Sequence, residues 1–356
     1  MRIAVLGVGL IGGSVALGAR ERLGATVAGY DVVAGALAAA RVRGAIDDAC
    51  DSVAAAVEGA DAVFVAAPVG RLPEVVGEAL AATGPGCVVT DVGSTKRAVV
   101  AAHSDPRFVG GHPLAGAESA GVEHARPDLF EGATWYLTPA AHTSGMLYER
   151  LHRLLHGLGA RPIAIDAETH DRILATVSHL PHVLANVLVS QAAGTLADGD
   201  ARLPATGPSF RDATRVAGAS SAIWTDIYLS NRDALTAEID RTIDRLQAVR
   251  TALAGNDRAA VAAWNDAAAA DRRALLEAQL AGGELFELRA SVPNRPGVIA
   301  QLALALGRGG VNIVDMALYP ASDMTEGVVA LWLAGAPAAA AAERLIGELG
   351  FDVVRP

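Results

Sequence analysis

The chain has 356 residues, which at roughly 150 residues per domain predicts two or three domains and excludes a single small module. Hydrophobic residues make up 52% and charged ones 19%, enough apolar material for buried cores and no signature of disorder. The net charge of −10, from 29 Lys and Arg against 39 Asp and Glu with no basic cluster, argues against nucleic acid and acidic membrane surfaces as partners.

Cys50 and Cys87 lie 37 positions apart without Cys-x-x-Cys spacing, and a chain of this size needs no disulfide staple, so a reducing cytoplasm fits. Met1-Arg2 and the apolar stretch Ile3 to Ala19 superficially resemble a signal peptide, but that stretch carries five glycines. No run reaches the ~18 continuous apolar residues of a membrane span, so no membrane is expected.

Arg2 to Leu6 reads as a buried parallel strand running into Gly7-Val8-Gly9-Leu10-Ile11-Gly12, after which Gly13 to Arg20 has helical composition. The order suits a dinucleotide: the first glycine permits the tight turn, the second lets the backbone approach a pyrophosphate, and the third lets helix pack on strand. The phosphates then lie on unpaired helix N–H groups. Alone, the pattern is also an ordinary glycine-rich turn. The next strand, Thr26 to Tyr30, adds context by ending in Asp31, 19 residues after Gly12, where a carboxylate accepts from the ribose hydroxyls. Val32-Val33-Ala34 brings no arginine to a 2′-phosphate, so NAD is favoured over NADP.

Alternation continues with Ala62 to Ala66, Pro68, a helix from Leu72 to Ala82, Cys87 to Asp91 and a helix opening at Ser94. Alternating strands and helices predict a parallel sheet of Rossmann type covered on both faces. Ligands bind beyond the carboxyl ends of such strands, which puts Ala67, Pro68, Asp91 and Ser94 beside the cofactor. Strand-like runs at Phe108 to Gly111, Thr134 to Leu137 and Pro162 to Ile165 complete an NAD-binding domain over residues 1–166.

Two segments carry chemistry, Asp91-Val-Gly-Ser-Thr-Lys96 and Gly111-His-Pro-Leu-Ala-Gly-Ala-Glu118. With Ser178-His-Leu-Pro-His182 and Phe210-Arg-Asp-Ala-Thr-Arg-Val-Ala217, they resemble the prephenate dehydrogenase family of tyrosine biosynthesis, in that family's order and up to about residue 280. The resemblance implies oxidative decarboxylation of prephenate to 4-hydroxyphenylpyruvate, or of arogenate to tyrosine, with NAD(P). It also implies catalytic roles for Ser94 and His112.

The residues can be read against that chemistry independently. Oxidising a ring alcohol requires hydride transfer while a base holds the hydroxyl proton, and an imidazole near neutral pKa suits the task. His112 lies just after a strand, on the edge where the cofactor is expected; its plainer reading is a loop cap. Ser94 reads as a helix N-cap whose hydroxyl also faces substrate or His112. A dicarboxylate substrate calls for a cation with bidentate reach, and by resemblance Arg215 is that group. Arg211 and Asp212, one helical turn earlier, reach the same region, with Asp212 able to hold Arg215. His179 and His182 share a helix face and read as substrate contacts, as core histidines, or as metal ligands, the last without supporting carboxylates or cysteines. Glu118 stands near the substrate side chain or is a solvated loop carboxylate. One departure from the family pattern is Thr206-Gly207-Pro208-Ser209-Phe210, where Pro208 has no N–H to donate.

From Glu168 to Leu280 strand signals vanish, and residues 167–282 read as an all-α domain. Leu235, Ile239, Ile243, Leu246, Val249 and Leu253 form a stripe that needs a partner surface. By resemblance this is the domain through which two subunits form a homodimer. Trp224 reads as core. A 3-hydroxyacid dehydrogenase shares the plan but requires a catalytic lysine here, and this stretch contains none. A bare NAD- and amino-acid-sensing module leaves Ser94, His112 and Arg215 unexplained.

Gly282-Gly283 marks a linker to residues 283–356. The order strand-helix-strand-strand-helix-strand is ferredoxin-like, an α+β arrangement. With Pro293-Asn-Arg-Pro-Gly-Val298 at the first turn, it resembles the ACT module, which implies an effector such as tyrosine or another amino acid.

Overall fold

The computed structural model describes residues 1–356 apart from 117–119, 198–206, 280–283, 294–297, 312 and 322–324. The described chain divides into two compact units, Met1–Thr242 and Ile243–Pro356.

Eight strands build the sheet of the first unit: β1 (Arg2–Leu6), β2 (Thr26–Tyr30), β3 (Asp48–Ala49), β4 (Ala62–Val65), β5 (Val88–Asp91), β6 (Phe108–Pro113), β7 (Thr134–Thr138) and β8 (Arg161–Ala164). They lie in the order β3-β2-β1-β4-β5-β6-β7-β8. The apolar runs of β1 and β4 follow from burial on both faces. One layer centres on Val5, Phe64, Trp135 and Leu151, the other on Leu6, Val63, Val65 and Leu72. Trp135 is wedged between Phe130 and Phe64, with ring centroids 4.9 and 6.2 Å away.

The sheet is parallel from β3 to β6, but β7 runs antiparallel to β6 and β8 follows β7, which corrects the expectation of a wholly parallel sheet. A parallel return usually needs a crossover helix, and between β6 and β7 the described residues form only the short turn Val122–His124.

The strand order reverses at β1, which has β2 on one side and β4 on the other, and this opens a crevice at their carboxyl ends. Gly7 takes φ +96 there and passes the Ala66 carbonyl at the end of β4 so closely that a Cβ would overlap it. The helix Leu10–Leu23 follows, and a Cβ on Gly12 would overlap the Gly7 carbonyl oxygen.

Beyond β8, described residues to 279 contain no strand, as the sequence indicates. The Asp166 carboxylate caps the helix Ala167–Leu174 by accepting from the Thr169 amide at 2.8 Å. A π-turn, Ala175–His179, then leads into the helix Leu180–Ala197. Pro181 has no N–H for the turn before it, and the widened turn accommodates that loss. The stretch Ala167–Gly194 is long and apolar enough to cross a membrane by length and composition, yet it places His170, Asp171 and His179 in a buried polar network. Short helices Pro208–Thr214 and Ser221–Ser230 lead into Arg232–Ala254.

The helix Arg232–Ala254 begins in the first unit and ends in the second, where a turn with Asn256 at φ +49 leads into the helix Arg258–Gln279. Leu246 and Leu253 of the predicted stripe are exposed, as is Trp264 on the helix that follows. The strands β9 (Leu285–Pro293), β10 (Ile313–Pro320), β11 (Glu326–Ala334) and β12 (Val353–Val354) form an antiparallel sheet in the order β10-β11-β9-β12. Helices Val298–Arg308 and Ala336–Glu348 cover one face around Leu288, Leu302, Leu331 and Ile346. On the other face the Arg272 guanidinium lies 4.4 Å from the Trp332 ring centroid.

The glycine turn separates two substitutions cleanly. Gly12→Ala is expected to lower stability by about 1–3 kcal/mol through overpacking. Gly9→Ala, whose Cβ would meet nothing within 4 Å, is expected to stay within about 0.5 kcal/mol of the parent. Urea midpoints at unchanged slope measure both.

Candidate active site

The crevice beside β1 has the shape of a phosphate cradle. The amides at the start of helix Leu10–Leu23 lack an intrahelical partner, and Gly9 leaves the space in front of them open. Asp31 braces the turn by accepting from the Val8 amide at 2.9 Å and the Val33 amide at 2.8 Å. Asp31, Gly9 and Val33 also line a cavity of about 320 Å³, so the carboxylate faces the space a ribose would enter. These residues fit a dinucleotide. Ala67 and Pro68 follow β4 at the same edge of the sheet.

Asp91, expected beside the cofactor, is fully buried instead. Its carboxylate pairs with the Lys96 ammonium and accepts from the amides of Gly93 at 2.8 Å and Gly111 at 3.1 Å. Lys96 also donates to the Gly111 carbonyl at 2.7 Å. Burial pushes the Lys96 amine down, against the pull of Asp91. The pair holds the chain after β5 against β6 and so fixes where His112 emerges.

His112 lies in β6 opposite Tyr136 of β7, with its imidazole nearly buried. Burial pushes its pKa well below 6.5, and the neighbouring His170, Lys96 and His179 push the same way. The ring is therefore neutral at neutral pH and able to take a proton. Ser94 and His112 line one cavity of about 300 Å³ with His179 and Trp224.

The helix expected to open at Ser94 begins at Arg97, so Ser94 is not its N-cap. Its first amides, Lys96 and Arg97, donate to the Asp171 carboxylate at 2.7 and 2.9 Å, and Ser94 stays in the loop facing the cavity.

A wider cavity of about 810 Å³ adjoins this one through Ala115, Ser178 and Trp224, and is lined by His182 and Arg215. Trp224, read from sequence as core, is half-buried and stacks on His182 with centroids 3.5 Å apart. Burial lowers the pKa of His182, and nearby Arg215 lowers it further. His179 is buried, and desolvation pushes its pKa down to about 4 despite Asp171 nearby. His179 Nε2 and His182 Nδ1 are buried without a hydrogen-bond partner, which suits ring nitrogens awaiting a ligand. Arg211 and Asp212 are exposed on the helix Pro208–Thr214 and line neither cavity. Glu118 lies outside the described residues. No group of three or more metal-binding side chains occurs among the described residues.

Comparison with known proteins fits this arrangement. Residues 15–164 match the nucleotide-binding domain of prephenate dehydrogenase, and residues 166–265 match its dimerization domain. The chain belongs to the prephenate dehydrogenase family. The prephenate dehydrogenase of Bacillus subtilis is 34% identical, aligned over 92% of this chain and 90% of its own. Among solved structures, prephenate dehydrogenase from A. aeolicus with hydroxyphenyl propionate and NAD+ has TM-score 0.71 at 27% identity, covering 77% of this chain and 98% of that one. Synechocystis arogenate dehydrogenase has TM-score 0.67 at 27% identity, covering 76% and 99%.

Prephenate dehydrogenase membership accounts for the four motifs, and the structure brings residues from three of them, Ser94, His112, His179 and His182, around adjoining cavities with Arg215 of the fourth. Sequence reasoning missed His170, Asp171 and Asn231, which pack behind these groups. The one local signal was the adjacent His-Asp pair at the start of the helical segment.

The depressed imidazoles set a pH dependence of stability. His112 and His179 bind protons less readily in the folded chain, so the unfolded chain takes up more protons as pH falls below 6.5. Their contribution is whole above 6.5 and is lost as pH falls below it, for His179 toward about 4. Melting temperature is therefore expected to drop across that window, and His179→Asn to flatten part of the slope in a thermal-unfolding series.

Proposed function

We propose that this chain is an NAD-dependent oxidoreductase that converts prephenate to 4-hydroxyphenylpyruvate and carbon dioxide, the oxidative decarboxylation of tyrosine biosynthesis. The observation that carries the proposal is His112, a neutral, nearly buried imidazole in the cavity that adjoins the one lined by Arg215. NAD supplies the hydride acceptor when bound. His112 holds the proton of the ring hydroxyl while the hydride leaves the same carbon. When the bond to the ring carboxylate breaks, its electron pair enters the ring, and the imidazole returns the proton to the phenolic oxygen. Ser94 orients that hydroxyl, Arg215 binds a carboxylate, and His182, His179 and Glu118 border the substrate, with Arg211 and Asp212 in support. Gly7, Gly9, Leu10, Ile11 and Gly12 hold the pyrophosphate, and Asp31 holds the ribose and favours NAD over NADP. Ala67 and Pro68 border the cofactor, and Asp91 serves it by fixing the loop behind it.

Arogenate is the second reading, favoured by the likeness to the Synechocystis enzyme. We further propose three domains, residues 1–166, 167–282 and 283–356. The last has the strand and helix order of a ferredoxin-like, ACT-type module that takes tyrosine or another amino acid. The second forms a cytoplasmic homodimer, a reading supported by the dimerization-domain match and the exposed Leu246, Leu253 and Trp264.

The test is NADH formation from prephenate and from arogenate, each with NAD and NADP, repeated with added tyrosine. Prephenate with NAD is expected to give the highest kcat/KM, and no oxidation of either substrate would overturn the proposal. His112→Asn is expected to lower kcat by roughly 10²- to 10⁴-fold with little change in NAD binding. Arg215→Ala is expected to raise the substrate KM by roughly 10- to 100-fold, the loss of one charge-assisted contact.

A further inference from the structure

Behind the cavity walls lies a second layer of polar side chains, His170, Asp171 and Asn231, all fully buried. Buried polar groups are tolerated when partnered, and these form a directed chain of hydrogen bonds. An ionised carboxylate only accepts. Asp171 Oδ1 lies 2.8 Å from His170 Nδ1, so His170 carries its proton on Nδ1 and leaves Nε2 bare. That Nε2 lies 2.9 Å from His112 Nδ1, so His112 is the donor and its own Nε2 is bare.

A second branch runs the other way. Arg97 Nη2 donates to Asn231 Oδ1 at 3.1 Å, which turns the Asn231 amide nitrogen toward the Asp171 carbonyl at 2.7 Å and His179 Nδ1 at 3.1 Å. His179 then accepts at Nδ1 and carries its proton on Nε2, the atom with no partner in the protein.

We propose that His170, Asp171 and Asn231 are positioning residues that hold His112 and His179 in opposite tautomers, one offering a bare nitrogen to take a proton and the other an N–H to donate. The proposal rests on the reading of His112 as the base. A proton taken at His112 Nε2 leaves the ring's other N–H directed at His170, whose far side faces the Asp171 carboxylate. The ring's second N–H thus keeps its acceptor when His112 takes up a proton, and no further buried charge is needed. A layer that merely packed the loop after β5 against helix Ala167–Leu174 would need neither ring nitrogen to be specified.

Histidine-ring ¹⁵N spectra of the full-length enzyme without substrate test this, with signals assigned by their loss in His112→Asn and His179→Asn. The expected result is protonated Nδ1 on His112 and protonated Nε2 on His179; any other pair of tautomers overturns the proposal. In kinetics, His170→Phe is expected to lower kcat by about 100-fold with KM values within about twofold, and His170→Gln, which keeps an acceptor, to recover at least about tenfold of that loss. Unchanged kcat in His170→Phe would overturn it, and if that variant fails to fold, the wild-type spectra decide. Should the enzyme oxidise neither prephenate nor arogenate, the functional reading falls while the spectra still settle the tautomers.

Discussion

The loop after β5 carries Ser94 and leads into a short helix with no side-chain cap of its own, and the Asp171 carboxylate supplies that cap from another part of the chain. Helix N-termini leave amides that need acceptors, and a carboxylate is the best of them because it also meets the positive end of the helix dipole. By filling this role, Asp171 ties the helical segment after β8 to the loop between β5 and β6. Burial alone would raise its carboxyl, but bonds from His170 and from the amides of Arg97 and Lys96 together hold it below the usual range. One ionised group thus fixes the loop of Ser94 and orients the ring behind His112.

The sheet contributes a second constraint. Because β7 runs back antiparallel beside β6, Trp135 and Tyr136 flank the end of the strand that bears His112, and the Tyr136 ring meets His170 edge-on at 5.6 Å. The buried Lys96 and Asp91 pair completes the frame from below, with Lys96 also satisfying the Gly111 carbonyl one residue before His112. Charges buried this deeply are tolerable only when mutually paired and hydrogen-bonded, as these are.

What the sequence made legible follows the range of the forces involved. The glycine turn is local sterics, so Gly7, Gly9 and Gly12 could be read directly, and Asp31 followed from a fixed spacing. The helix Leu72–Ala82 was legible to the residue because Pro73 and the apolar period mark it locally. Ser94 was misread as a cap because its true competitor, Asp171, lies 77 positions away in sequence and leaves no periodic trace. The direction of β7 was hidden for a similar reason, since strand composition carries no sign. Trp224 looked like core because aromatic burial and aromatic stacking on His182 have the same composition, and only geometry separates them.

The acidic balance of the chain acquires a definite meaning beside this site. A net charge of −10 repels an anionic cofactor and a dicarboxylate at long range, but in physiological salt that repulsion is screened beyond about 8 Å. Attraction therefore has to act within that distance. Amides at the start of helix Leu10–Leu23 can supply it at the cradle, and Arg215 at the wider cavity. The two are unequal. Arg215 is exposed and its field is screened as well, so it contributes mainly through contact geometry, whereas the cradle amides are fixed dipoles whose reach is short in any medium. The buried Lys96 adds no field at the surface, since Asp91 neutralises it in place. Recognition in this chain consequently depends on close fit, and an acidic surface imposes no penalty on it once the ligand is within a few ångströms of the site.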